Sequence, residues 1–209
     1  MNERGSEESY VHRIEAFSDI VIGFTVAQIG ATLVLPTHAT ALLGNGLWFV
    51  IYLWTFALVC LMWWLHNRVF RTVFVPTTWS VLCNFALLAS IVIMVYFAEV
   101  LAHARTIDDA AVASRLYYLT FSVTVALVST LSWMGLSDRG ERLDSQVRTK
   151  AVRSAVVNTV AAAFIMVSVA ASLVHLDTIF VPWLGVVALF GFALGNVVAR
   201  VGRFGTPSS

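Results

Sequence analysis

Six stretches of this chain, at positions 15–35, 41–65, 78–102, 111–136, 152–174 and 179–201, are apolar almost without interruption and are bounded by charge, proline or glycine. At a rise of about 1.5 Å per residue, about 20 such residues carry a helix across a hydrocarbon layer roughly 30 Å thick. Lipid offers no partner to a backbone N–H or C=O, so a spanning segment is either a helix or a strand in a closed barrel. Barrel strands are about ten residues long and alternate apolar with polar, whereas these runs are continuously apolar and twice that length. The chain is therefore expected to be an all-α integral membrane protein with six transmembrane helices. Its hydrophobic fraction of 59% and charged fraction of 12% leave no sizeable stretch for a soluble domain, and 1–209 reads as a single transmembrane domain.

Orientation follows from the basic residues, because Lys and Arg near span ends are retained on the cytoplasmic side. With six spans both termini share a side. Arg4, Arg13, Arg68, Arg71, Arg139, Arg142, Arg148, Lys150, Arg153, Arg200 and Arg203 fall on that side and only Arg105 and Arg115 fall opposite. Cytoplasmic termini and a multi-pass location in a bacterial plasma (inner) membrane are expected. Positions 1–10 are polar and acidic, so no cleavable signal is expected and the first span reads as an anchor.

The first span sorts into two faces at about 100° per residue. Gly23, Ala27 and Gly30 form a stripe of small residues of the kind that lets another helix approach. Phe17, Phe24, Gln28, Ala31 and Leu35 form a second face that suits either bundle packing or the lining of an axis. Asp19 projects on the small-residue side. A carboxylate one turn inside a span is costly unless hydrogen-bonded, so donors are expected at its level: Arg13, His66, Asn67, Trp79 and Asn84 are the candidates. Trp63, Trp64, Trp79, Trp133 and Trp183 lie near span ends and read as interfacial belt residues. Glu99 is expected near the opposite surface, pairing with His103 or Arg105.

Three motifs point to a family. Arg13-xxx-Phe17-Ser18-Asp19 at the cytoplasmic start of the first helix resembles the RxxxFSD signature of the transmembrane protein 175 potassium channels. The segment Trp63 to Phe70, WWLHNRVF, resembles the WxxHxxxF ending of that family's second helix, and Trp79 with Asn84 in WSVLCN resembles a polar element early in its third. The resemblance implies a passive cation channel whose single-copy bacterial members are homotetramers with the first helices lining a central pore. It implies Arg13, Phe17, Ser18, Asp19, His66, Trp79 and Asn84 as a scaffold network that sets the rotation of the first helix. Five positions after the motif's aspartate the family carries a bulky aliphatic residue as a hydrophobic constriction, and Phe24 stands there. Eight positions after it a threonine tied to potassium preference is common in the family, and this chain has Ala27, followed by Gln28.

Phe24, Gln28, Ala31 and Leu35 are accordingly expected to line the pore. Gln28 offers an amide oxygen to a partly dehydrated cation or, equally, hydrogen-bonds another helix. The expected ligand is a permeant monovalent cation, potassium by the resemblance, with no cofactor and no metal site, because the five histidines are scattered over both sides without ligand spacing. The expected partners are further copies of the chain and the bilayer. The charges at 137–150 alternate in sign and read as a solvated turn, not a nucleic-acid patch. No nucleophile elbow, phosphate-cradling glycine loop or paired acidic motif suggests an enzyme. A secondary transporter coupled to protons or cations is the main alternative and a non-conducting membrane scaffold the other. Pro36, Pro76, Pro182 and Pro207 all lie outside the span interiors, so no span shows the mid-membrane break that alternating access commonly uses.

Overall fold

A computed structural model describes residues 3–31, 46–174 and 184–201. Six α-helices account for nearly all of them: α1 Glu3–Ala31, α2 Gly46–Thr72, α3 Thr78–Ala102, α4 Ile107–Arg139, α5 Ser145–Val174 and α6 Leu184–Val201. One 3-10 turn, Gly140–Arg142, joins α4 to α5, and no strand occurs among the described residues. Helices α1 to α5 are long and apolar enough to cross a membrane, while the described part of α6 is shorter. Residues 32–35 of the first apolar run, 41–45 of the second and 179–183 of the sixth lie outside the described residues, and Leu35 with them.

The helices outlast the apolar runs that announce them. The second run ends at Leu65, yet α2 continues through Arg68 and Arg71 to Thr72, and α1 begins at Glu3, well before its apolar part. Hydropathy marks the lipid-immersed portion only, whereas the backbone hydrogen-bond ladder continues until a breaker stops it. Pro76 prevents α2 from running into α3, and Thr77 starts α3 with a capping box, its hydroxyl accepting from the Ser80 N–H while Ser80 Oγ accepts from the Thr77 N–H. Thr106 caps α4 in the same position, accepting from the Asp109 N–H, with Asp108 and Asp109 in the positive first turn.

The closest helix pairings are α3 with α4, α4 with α5 and α5 with α6. Side-chain bonds give their sense. Ser122 Oγ donates to the Ala162 carbonyl at 2.8 Å and Ser129 Oγ to the Ala155 carbonyl at 3.1 Å, so α4 and α5 run antiparallel. Helix α1 packs more sparingly, against α2 and α3. Ile14, Ile22 and Ile29 of α1 join Met62, Leu87, Ile91, Phe121 and Ile165 in one continuous apolar core.

Glycines set the two tightest approaches. A Cβ on Gly195 of α6 would lie 2.6 Å from the Val157 carbonyl oxygen and 2.9 Å from its Cα, and one on Gly191 would lie 3.2 Å from the Ala161 carbonyl. Gly135 of α4 sits so close to the backbone of Val73 that a Cβ there would come within 2.9 Å of the Val73 side chain. Gly191-xxx-Gly195 is thus a working small-xxx-small contact between α6 and α5. Gly23 and Gly30, expected to serve that purpose in α1, have nothing within 4 Å of a built Cβ. Gly195→Leu is expected to separate α6 from α5 and cost about 1–3 kcal/mol, read as a lower midpoint of thermal aggregation in detergent; Gly23→Leu should leave that midpoint of the isolated chain unchanged.

Candidate functional site: the first helix and its buried scaffold

Each residue of the Phe17-Ser18-Asp19 triplet contacts a different feature. Consecutive helical residues point about 100° apart, so three in a row fan across neighbouring helices. The Phe17 ring meets Phe85 of α3 edge-on, with centroids 6.0 Å apart and planes at 88°. Asp19 Oδ1 accepts from Trp63 Nε1 of α2 at 2.9 Å. Ser18 is fully buried, donates to the Ile14 carbonyl at 2.8 Å and accepts from Asn84 Nδ2 of α3 at 3.0 Å.

The network closes through α2. With its amide nitrogen committed to Ser18, Asn84 presents Oδ1 to His66 Nε2 at 2.9 Å. The Ser18 hydroxyl hydrogen is already used by Ile14, so Asn84 must donate to Ser18 and accept from His66, which places the imidazole proton on Nε2. His66 Nδ1 is buried without a partner. Ser18, Asn84 and His66 are 0%, 0% and 1% exposed, and in such surroundings an unpaired donor or acceptor is expensive. The Phe70 ring lies against the imidazole with centroids 4.3 Å apart and planes tilted by 33°, and Phe74 stacks on Phe70 at 4.0 Å.

This geometry accounts for the spacing in WWLHNRVF. Trp63 and His66, three apart, lie on one face of α2 and reach Asp19 and Asn84 respectively, and Phe70, four further on, supports the imidazole from below. Trp63 is the residue that sequence reasoning placed elsewhere. It reads as a belt tryptophan and is half-exposed, yet it is the donor to Asp19, for which Arg13, His66, Asn67, Trp79 and Asn84 were the candidates. The signal was available in its i, i+3 relation to His66. Trp79 is 74% exposed within the chain and, like the exposed Arg13, forms no hydrogen bond with a described residue; neither joins the buried cluster. Asp19→Asn keeps an acceptor for Trp63 and is expected to preserve folding, whereas Asp19→Ala removes it at a cost of about 1 kcal/mol. Comparable losses for the two in a thermal-stability assay would mean that charge, and not the bond, matters.

Opposite this anchored side, α1 is bare. Ile14, Ser18, Ile22, Thr25 and Ile29 are buried, whereas Phe17, Ile20, Gly23, Phe24, Ala27, Gln28, Gly30 and Ala31 are exposed within the chain. Roughly half the circumference of the helix is uncovered. Phe24 is 74% exposed and borders, with Thr25, Gln28, Ala31 and Val92 of α3, an open groove of about 450 Å³. Thr25 is spent on its own helix, its hydroxyl donating to the Val21 carbonyl at 2.8 Å. Apolar exposure alone means little in a bilayer, where every outer helix faces lipid tails. A half-face that includes an uncapped glutamine and two glycines is different, because lipid rewards neither.

The expected basic end is also visible. Arg68 Nη2 lies 3.5 Å from the Lys150 carbonyl, at the level of the Ser18–Asn84–His66 cluster. At the far end Glu99, His103, Arg105 and Asp109 line a broad open cavity of about 710 Å³, and His103 Nδ1 lies 2.8 Å from the Glu99 backbone carbonyl.

Fold and site together define a multi-pass, all-helical membrane protein whose first three helices are locked by a buried polar network. Residues 13–95 match the model of the family described as endosomal/lysosomal potassium channel TMEM175. The matched segment covers less than half of the 209 residues. It takes in Ser18, Asp19, Trp63, His66, Asn84 and Phe85, and so the whole network, while α4 to α6 lie outside it. The family is one of channels and not of enzymes. No curated protein and no solved structure matches the chain.

Proposed function

We propose that the protein is a passive cation channel of a bacterial inner membrane, built as a homotetramer of single six-helix domains with cytoplasmic termini. The observation that carries this reading is the two-sidedness of α1. One side is fixed to α2 and α3 by Ser18, Asp19 and the buried isoleucines, and the other is uncovered along Phe17, Ile20, Phe24, Gln28 and Ala31. A helix beside a fourfold axis needs such a bare half, since it must face both the axis and the adjacent copies. Gly23 and Gly30, where an added Cβ would meet no described residue of the same chain, then serve contacts between chains.

Phe24 is the constriction. Four phenyl rings around a narrow axis exclude water and close the path by dewetting. Gln28 and Ala31 lie one and two turns further along. The Gln28 amide oxygen then replaces part of a cation's hydration shell. Potassium is the expected permeant ion from the family match, and with Ala27 in place of a hydroxyl-bearing residue its preference over sodium is expected to be small.

Purified protein reconstituted in liposomes tests this. Under potassium, caesium and sodium gradients, the expected result is dissipative flux of all three ions, fastest for potassium and caesium, from a species whose mass in native mass spectrometry is four chains. Absence of flux would favour a scaffold, and flux that requires a proton gradient would favour a transporter.

A further inference from the structure

Between α2, α5 and α6, at the basic end of the bundle, lies a cavity of about 440 Å³ whose rim holds Arg68, Lys150 and Arg153 and whose lining includes no carboxylate. We propose that this cavity binds the phosphate headgroup of an anionic membrane phospholipid. None of the three cations forms an ion pair with a described acidic residue. The Arg68 guanidinium is held over the Trp64 ring, 5.7 Å from its centroid, and its Nη2 donates to the Lys150 carbonyl at 3.5 Å, which orients the fork and leaves its remaining N–H groups for a ligand. Three like charges facing one space repel one another, and a shared anion removes that repulsion.

A second observation comes from deeper in the cavity. Asn158, one to two turns along α5 from Arg153, lines the same space, is 2% exposed, and its Nδ2 has no hydrogen-bond partner. A buried amide donor of this kind is normally satisfied, and a glycerol or ester oxygen below the phosphate satisfies it here. The remaining walls are mostly apolar, with Leu61, Leu65, Val157 and Phe192, beside Ser154 and Asn196, whose amide nitrogen is spent on the Phe192 carbonyl. Cations at the rim, one free donor beneath them and hydrocarbon beyond match a phospholipid from headgroup to acyl chain. A free phosphate would use the rim and leave the rest empty. Basic pockets between membrane helices at the cytoplasmic surface take such headgroups. The site lies wholly outside the first helix and depends only on the chain's place in a membrane.

The test is thermal stability of the purified protein in neutral detergent, supplemented with phosphatidylglycerol, with phosphatidylcholine of the same chains, or with inorganic phosphate. The expected result is a midpoint raised by several degrees by phosphatidylglycerol alone, with that rise lost in Arg68→Gln/Arg153→Gln. An equal rise with phosphatidylcholine, a full rise with inorganic phosphate, or an undiminished rise in the double variant would each overturn the proposal. Should the double variant fail to fold, the three additives on the unaltered protein still decide, and Arg153→Gln alone is expected to halve the response. Conductance enters none of these readings, so the site stands or falls separately from the channel.

Discussion

Asn84→Leu is expected to be the most damaging single substitution in the first three helices. Leucine branches at the same carbon as asparagine and is the bulkier side chain, so no cavity opens, but the Ser18 hydroxyl oxygen loses its donor and the His66 Nε2–H loses its acceptor, both fully buried. Each unsatisfied group costs about 1–3 kcal/mol, and the two occur together at the point where α1, α2 and α3 meet. Ser18→Ala is milder, because only the Asn84 amide is stranded and the hydroxyl's own bond to Ile14 vanishes with it. The expected order in thermal stability is therefore wild type, then Ser18→Ala, then Asn84→Leu, with loss of the assembled species in the last. A leucine variant as stable as the alanine one would show that the network holds no weight and that apolar packing alone positions α1.

The spans and their type were legible because lipid permits so few backbone solutions that apolar run length nearly decides the matter. Run ends were less legible: α2 passes Leu65 by seven residues to Thr72, since arginines end the hydrophobic signal without ending a helix. Within the motif residues, Ser18, His66 and Asn84 come together, while Trp79 and Arg13 stand outside that cluster. Trp63 was misread because a tryptophan near a span end serves equally as an interfacial anchor or as an N–H donor, and only the position of Asp19 on the facing helix distinguishes the two. The glycines show the same ambiguity. Gly23 and Gly30 look like a packing stripe, but a Cβ added at either would meet no described residue, and Gly191 and Gly195, with the same small-xxx-small character, carry the α5–α6 contact. Spacing announces a close approach without naming the partner, and partners supplied by other copies are invisible to a single chain.

Phe24→Ala is the second large effect. If four phenyl rings close the axis, their removal widens the narrowest point by several ångströms on the order of a side-chain diameter and lets water remain, so cation flux in liposomes is expected to rise several-fold with little change in assembly. The side chain is 74% exposed within the chain and contributes little to its core, which is why stability should be spared. Phe24→Leu, the aliphatic form usual in the family resembled, should retain the closed behaviour. Gln28→Ala is expected to leave flux measurable and to alter the ratio of potassium to sodium, separating an ion contact from a hydrophobic gate.

The central claim is that the uncovered face of α1 surrounds the ion path. Cysteine scanning tests it most directly, in a background with Cys60 and Cys83 replaced by serine and with flux read in liposomes before and after a permeant, positively charged thiol reagent. Block at Phe24→Cys, Gln28→Cys and Ala31→Cys, with none at Ile22→Cys or Ile29→Cys, is the predicted pattern. Block confined to the isoleucine positions, or absent from all five while flux persists, would place the path elsewhere and contradict the account.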